Sequence, residues 1–149
     1  MPVADVAYVR DVANIPLNTI ADAKISVWLP RAERRMRTWV GDAAYDDALL
    51  AVPTDPDRAQ AIKDAEAQLV VAMGIRSWAT AWTTGGIAKQ RDTGTDGQQV
   101  ILLTPDEINT LVRLGIQEAE RTVAEYVIEH HAVPILQEAA DEDEEEDDG

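Results

Sequence analysis

From Asp55 to Trp82 the apolar positions follow the rhythm of a helix. Ala59, Ile62, Ala65, Leu69, Ala72, Met73, Ala79 and Trp82 recur mostly three and four residues apart, the spacing that lines one helical face. Asp57, Gln60, Asp64 and Gln68 fall on the other side of the first half. Asp55 offers a capping carboxylate, and Pro56 stands at the first helical position, where its missing N–H costs nothing. From Leu69 to Ile75 the polar face vanishes. A helix that is apolar all round must be enclosed, either by its own domain or by a neighbouring subunit, and at 149 residues some help from neighbours is expected.

The same pattern partitions the remaining chain. Val6, Val9, Val12 and Ala13 suggest a short helix or arm within residues 1–18, closed by Ile15-Pro16. Between Thr19 and Val40, Ile20, Ile25, Trp28, Leu29, Ala32, Met36, Trp39 and Val40 form a second helical stripe. Pro30 inside it demands a kink or a restart with the proline in a first turn. Gly41 is a natural terminator, and Asp42 to Thr54 reads as a linker with a helical turn near Tyr45–Leu50. Thr83 to Leu103 lacks helical period; it is too long for a simple hairpin connection and is read as a long loop, with Val100–Leu103 a short strand or an anchor on the core. Thr104-Pro105-Asp106-Glu107 spells a capping box, and the helix it opens should run to about His131. The pattern thus predicts an all-α fold: a small antiparallel helical bundle on two long helices, residues 19–133, with a C-terminal tail from residue 134.

Composition alters this picture at one end. The net charge is −15, but nine acidic residues and no basic one lie between Glu138 and Asp148, leaving 19 acids against 13 bases elsewhere, a balance of −6. The tail is expected to be solvated and disordered, so truncation after Ala140 should leave the fold intact. An acidic body argues against a DNA-gripping module, which needs cations to displace counterions. Cysteine is absent, which excludes disulfides, thiolate metal sites and thiol nucleophiles. No apolar run approaches the ~20 residues of a membrane span, and no signal pattern opens the chain, so a soluble cytoplasmic product is expected.

Candidate chemistry is sparse. Thr84-Gly85-Gly86-Ile87-Ala88-Lys89 lacks the spacing and the following hydroxyl of a phosphate loop. Asp92 to Leu103 resembles a calcium loop but has Gly94 at the third ligand position and Leu103 at the twelfth. His130 and His131 are adjacent and project to different sides of a helix, so they cannot chelate one metal as an i, i+4 pair does. No catalytic, cofactor or metal site is read here.

Interaction surfaces are better represented. Arg31, Arg34, Arg35 and Arg37 crowd one helix with Glu33 the single acid among them. Two readings compete: a solvated face paired internally to Asp42, Asp46 or Asp47, or a basic patch for an acidic partner or a neighbouring subunit. Trp78 and Trp82, four apart on one face, are either core or interface anchors. Lys89 and Arg91 add two cations to the loop, which is expected to become ordered only on assembly.

The segment Trp28-Leu-Pro-Arg-Ala-Glu-Arg-Arg-Met-Arg-Thr-Trp-Val-Gly41, the step Tyr45-Asp46-Asp47-Ala48-Leu49, the helix through Ala65–Ala72 and the Gly/Thr-rich segment before the last long helix resemble the head-to-tail adaptor (head-completion, connector) family of long-tailed phages and gene transfer agents. The similarity spans roughly Ile20 to Val127. It implies small helical subunits forming a dodecameric ring beneath a portal protein, extending the DNA channel and docking the next neck or tail-completion protein. It implies a non-catalytic virion component, present in host cytoplasm during assembly, that lets DNA pass without binding it. The acidic tail is not part of the family pattern. Two other classes remain open: an acidic DNA-mimic inhibitor of a nucleic-acid-binding protein, and a small helical chaperone or regulator.

Overall fold

The computed structural model describes residues 1–13, 20–82, 88–92, 98–102 and 104–128, with side chains for 1–13, 20–78 and 104–128. Among these the protein is mainly helical: α1 (Val6–Val12), α2 (Asp22–Ser26), α3 (Leu29–Val40), α4 (Asp42–Ala48), α5 (Pro56–Trp82) and α6 (Pro105–Thr122), with a 3-10 turn at Ala124–Tyr126. Strands β1 (Ala88–Asp92) and β2 (Gln98–Leu102) lie between α5 and α6.

Helix α5 is the axis. Its 27 residues make a rod about 40 Å long, and α1, α3, α4 and α6 all pack on it, α6 most extensively. Its start follows from local chemistry. Asp55 Oδ1 accepts the Arg58 N–H at 3.0 Å, and the Asp55 carbonyl accepts the Ala59 N–H at 3.0 Å. Asp47, in the last turn of α4, reinforces this corner. Its carboxylate accepts the Thr54 N–H at 2.9 Å, the Asp55 N–H at 3.3 Å and the Arg58 guanidinium at 3.0 Å. The hydrogen bonds from Thr54, with those of Arg58 and Asp55, hold that carboxyl well below the usual carboxylate range.

The all-apolar half of α5 does not need a second subunit for most of its enclosure. Leu69, Val70, Ala72, Gly74 and Ile75 are buried within the single chain, and Val71 and Met73 partly so. Small residues make this possible. A Cβ on Gly115 of α6 would stand 2.8 Å from the Ala72 Cβ, so the two helices approach backbone to backbone there. Within α5, the Trp78 indole lies back along the helix over Gly74, the direction in which long helical side chains point. Trp78 is 1% exposed and donates its indole N–H to the Lys24 carbonyl at 3.3 Å, tying α5 to α2.

The stripe from Thr19 to Val40 divides at Pro30 by restarting. Helix α2 ends at Ser26, Trp28 becomes the N-cap of α3, and Pro30 falls in its first turn, where no N–H is required. Leu29, Ala32, Met36 and Val40 then turn one face into the core. Gly41 ends α3 at φ 85° and ψ 156°, a region open to glycine alone, and so lets α4 begin immediately. The segment expected to be mostly linker is therefore helical from Asp42 to Ala48, burying Tyr45 and Ala48.

Two boundaries differ from the sequence reading. The segment between α5 and α6 contains an antiparallel strand pair, in register from Ala88 opposite Leu102 to Asp92 opposite Gln98. Counting the whole of Thr83–Leu103 as loop overstated the connection, because two five-residue strands account for much of it. Helix α6 opens on the expected capping box, with Thr104 Oγ1 accepting the Glu107 N–H and Glu107 accepting the Thr104 N–H at 2.9 Å. It ends at Thr122, not near His131. Past the 3-10 turn the backbone crosses to α3, where the Ile128 N–H donates to the Trp39 carbonyl at 2.9 Å. That long-range bond competes successfully with continued helix. His130, His131 and the acidic tail lie outside the described residues, as does the side-chain placement of the strand pair.

Candidate interaction surface

Helix α3 carries the four arginines, and its geometry splits them into two groups. Arg37 belongs to the internal reading. Its guanidinium reaches Glu33 at 3.1 Å, Asp42 at 3.0 Å and Asp46 at 2.9 Å, and lies over the Tyr45 ring at 4.4 Å. Those acceptors raise its pKa against the opposing effect of desolvation. Arg37 thus joins α3 to α4 and contributes to the fold.

Arg31, Arg34 and Arg35 belong to the other group. All three are exposed, and among the described residues none makes an ion pair. Arg31 lies over the Trp28 ring at 4.7 Å and Arg35 over the Trp39 ring at 5.5 Å, contacts that orient a guanidinium while leaving its N–H groups free to donate. The helical repeat sets this arrangement: Arg31 and Arg35 are one turn apart, with Arg34 beside them, while Glu33 and Arg37 point to the flank occupied by α4. The result is a cationic ridge edged by two half-buried tryptophans. At its lower end a shallow depression of about 450 Å³ is lined by Trp39, Glu120, Ala124 and Val127.

The remaining candidates disperse. Trp78 is core, as its burial and its bond to Lys24 require, and cannot anchor a partner. The side chain of Trp82 lies outside the described set, as do those of Lys89 and Arg91, whose backbones stand opposite Ile101 and Gln99 in the strand pair. A second concavity, about 290 Å³, runs between the end of α1 and the α5–α6 pair, lined by Val12, Val71, Ile75, Leu111 and Leu114 among others. Leu114 is half exposed at its rim.

One polar residue escaped the sequence reading. Glu66 is fully buried on α5. Its carboxylate accepts the Ala4 N–H at 2.6 Å and the Tyr45 hydroxyl, while the Tyr45 oxygen accepts the Val3 N–H at 3.1 Å. Burial pushes the Glu66 carboxyl up, opposed by these donors, and pushes the Tyr45 hydroxyl up as well. The signal was present: Glu66 follows Ile62 by four and precedes Leu69 by three, so it falls on the apolar face. Its role is to hold the first residues against α4 and α5. At the other side of that segment, the Met1 ammonium pairs with Glu33 at 3.1 Å. Tyr8 extends the attachment, donating to Asp64 and accepting from Gln60 at 2.6 Å, with Lys63 over its ring at 4.2 Å.

Among the described residues no three His, Asp or Glu side chains group as a metal site, and no helix is long and apolar enough to cross a membrane. The chain matches no protein-family model, no curated protein and no solved structure.

Proposed function

We propose that this chain is a structural head-to-tail adaptor that assembles as a ring beneath a portal protein, extends the DNA channel and docks the next neck component. The finer architecture in this reading is an antiparallel bundle on α5 and α6, joined through the strand-bearing segment. The observation that carries the reading is the Arg31–Arg34–Arg35 ridge. Three neighbouring cations without ionic partners among the described residues, on a body of net negative charge, support a contact there with an acidic protein surface. The adjacent tryptophans supply the apolar area that such contacts need. The acidic surface elsewhere suits a channel that must not retain DNA. The resemblance over Ile20–Val127 supplies the particular setting, and the apolar groove beside α6 offers a lateral contact for a neighbour in the ring.

The double substitution Arg34→Glu, Arg35→Glu tests it. Both residues are exposed, so the fold should persist. Association with the portal or within the ring should weaken, and the loss should be greatest at low salt, where screening is least. Equal association at every salt concentration would remove the ridge from the interface.

A further inference from the structure

The ridge faces a question in the free chain: what covers three neighbouring guanidiniums before any partner arrives? We propose that the Arg31–Arg34–Arg35 face of α3 is the docking site for this chain's own acidic segment, Glu138–Asp148, folded back within the same molecule.

Charge complementarity is the first ground. The segment holds nine carboxylates and no base, and the face holds three guanidiniums with no ionic partner among the described residues. Of the other described cations, Arg10 pairs with Asp22, Arg37 with three acids, Arg58 with Asp47 and Arg121 with Glu118. Lys24, Lys63, Arg76 and Arg113 also make no ion pair among the described residues, but they are spread over α2, α5 and α6 instead of crowding one helix. The point of departure is the second ground. The described chain ends at Ile128, whose N–H is bonded to the Trp39 carbonyl, so the C-terminal segment leaves from the foot of the ridge, one turn from Arg35. From Ile128 an extended chain can reach Glu138 as far as about 33–36 Å away, whereas Trp39 and Arg31 are separated by about 12 Å of helix. Reach is therefore ample for the acidic run to lie along the whole face.

The tether decides between the same molecule and another. An exposed ion pair is weak by itself, but a short covalent tether holds the second partner at an effective concentration that reaches about the millimolar range. Several carboxylates can exchange over three arginines without a unique geometry, and stacking on Trp28 and Trp39 already limits the freedom of two of them. The proposal concerns the free chain and stands apart from the ring reading; its bearing on function is that any acidic partner must displace the tail.

The test compares the full chain with a chain ending at Ala140 by nitrogen-15 NMR, following the arginine Nε–H signals of residues 31, 34 and 35 and the indole N–H signals of Trp28 and Trp39. Truncation should shift these signals at about 10 mM salt, and the two spectra should converge at about 1 M, where the screening length falls to about 3 Å. The shifts should be unchanged on tenfold dilution and restored by adding a peptide of residues 138–149 to the truncated chain. In the full chain, replacing Arg31, Arg34 and Arg35 with Gln should return the tail signals to those of the free peptide. Identical ridge signals with and without the tail overturn the proposal. Shifts that disappear on dilution also overturn it, since they place the tail on a second copy.

Discussion

Replacing Gly74 with alanine sets two effects of known size against each other. In an open helix the change would stabilise, because alanine is favoured over glycine by about 1 kcal/mol in a helix interior. Gly74, however, lies under the indole of Trp78, and a Cβ there would sit closer to three ring atoms than carbon atoms can approach. The ring cannot step aside freely: it is 1% exposed and bonded to the Lys24 carbonyl. Forcing extra volume into a packed core costs about 1–3 kcal/mol, and loss of the indole hydrogen bond adds about 0.5–1.5 kcal/mol. After the helix gain is subtracted, the net loss is about 0.5–3.5 kcal/mol. For a chain of this size each kcal/mol lowers the melting temperature by about 2–4 °C. Thermal unfolding followed by circular dichroism would read the shift, and tryptophan emission would report displacement of the ring. The double variant with Trp78→Leu completes the cycle: without the indole, Gly74→Ala should become neutral or stabilising. A single Gly74→Ala variant that melts higher than the parent, or a cycle with no coupling, would refute the packing of Trp78 over Gly74.

Other outcomes follow from equally local features. Gly41→Ala should cost about 1–3 kcal/mol through backbone strain alone, since the nearest atom to the new Cβ is Ile128 Cδ1 at an ordinary 3.7 Å; denaturant titration reads it, and an unchanged midpoint would contradict the positive φ. Thr104→Ala should lose about 0.5–2 kcal/mol by removing the cap of α6, visible as a lower melting temperature. Burial holds the Glu66 carboxyl above its ordinary value of 4.5, so the folded state binds that proton more tightly than the unfolded chain does. The stability this group contributes is full below that value and is lost as pH rises through the folded pKa, by at most about 1.4 kcal/mol per pH unit. Glu66→Gln cannot ionise, so its stability relative to the parent should improve across that window in denaturant titrations at a series of pH values; a difference independent of pH would show that Glu66 does not titrate in a buried site.

What the sequence disclosed depended on whether a feature was local. Asp55-Pro56 and Thr104-Pro105-Asp106-Glu107 announced the starts of α5 and α6 because caps are written in three or four consecutive residues. Pro30 announced the break between α2 and α3 for the same reason. The end of α6 was not legible, because it is set by Ile128 bonding to Trp39, nearly ninety residues away, while Val123, Tyr126 and Val127 continue an apolar period. The strand pair was obscured by polar residues on β1, whose Lys89-Gln90-Arg91 shows no apolar alternation. How far one chain encloses α5 was not legible, because it relies on the closeness that Gly115 and Ala72 permit. At the candidate site, the crowding of arginines was evident in the sequence, but only the position of α4 brings Asp42 and Asp46 to Arg37, beside its own-helix partner Glu33, while the other three stay exposed.

The adaptor reading turns on assembly. Native mass spectrometry of the purified chain, alone and mixed with a portal protein, measures assembly most directly. A closed ring of many copies seated on the portal is the expected result, with the Arg34→Glu, Arg35→Glu variant reduced in occupancy at low salt. A chain that stays monomeric in both samples, and instead competes with DNA for a basic protein, would contradict the adaptor reading and favour a DNA mimic.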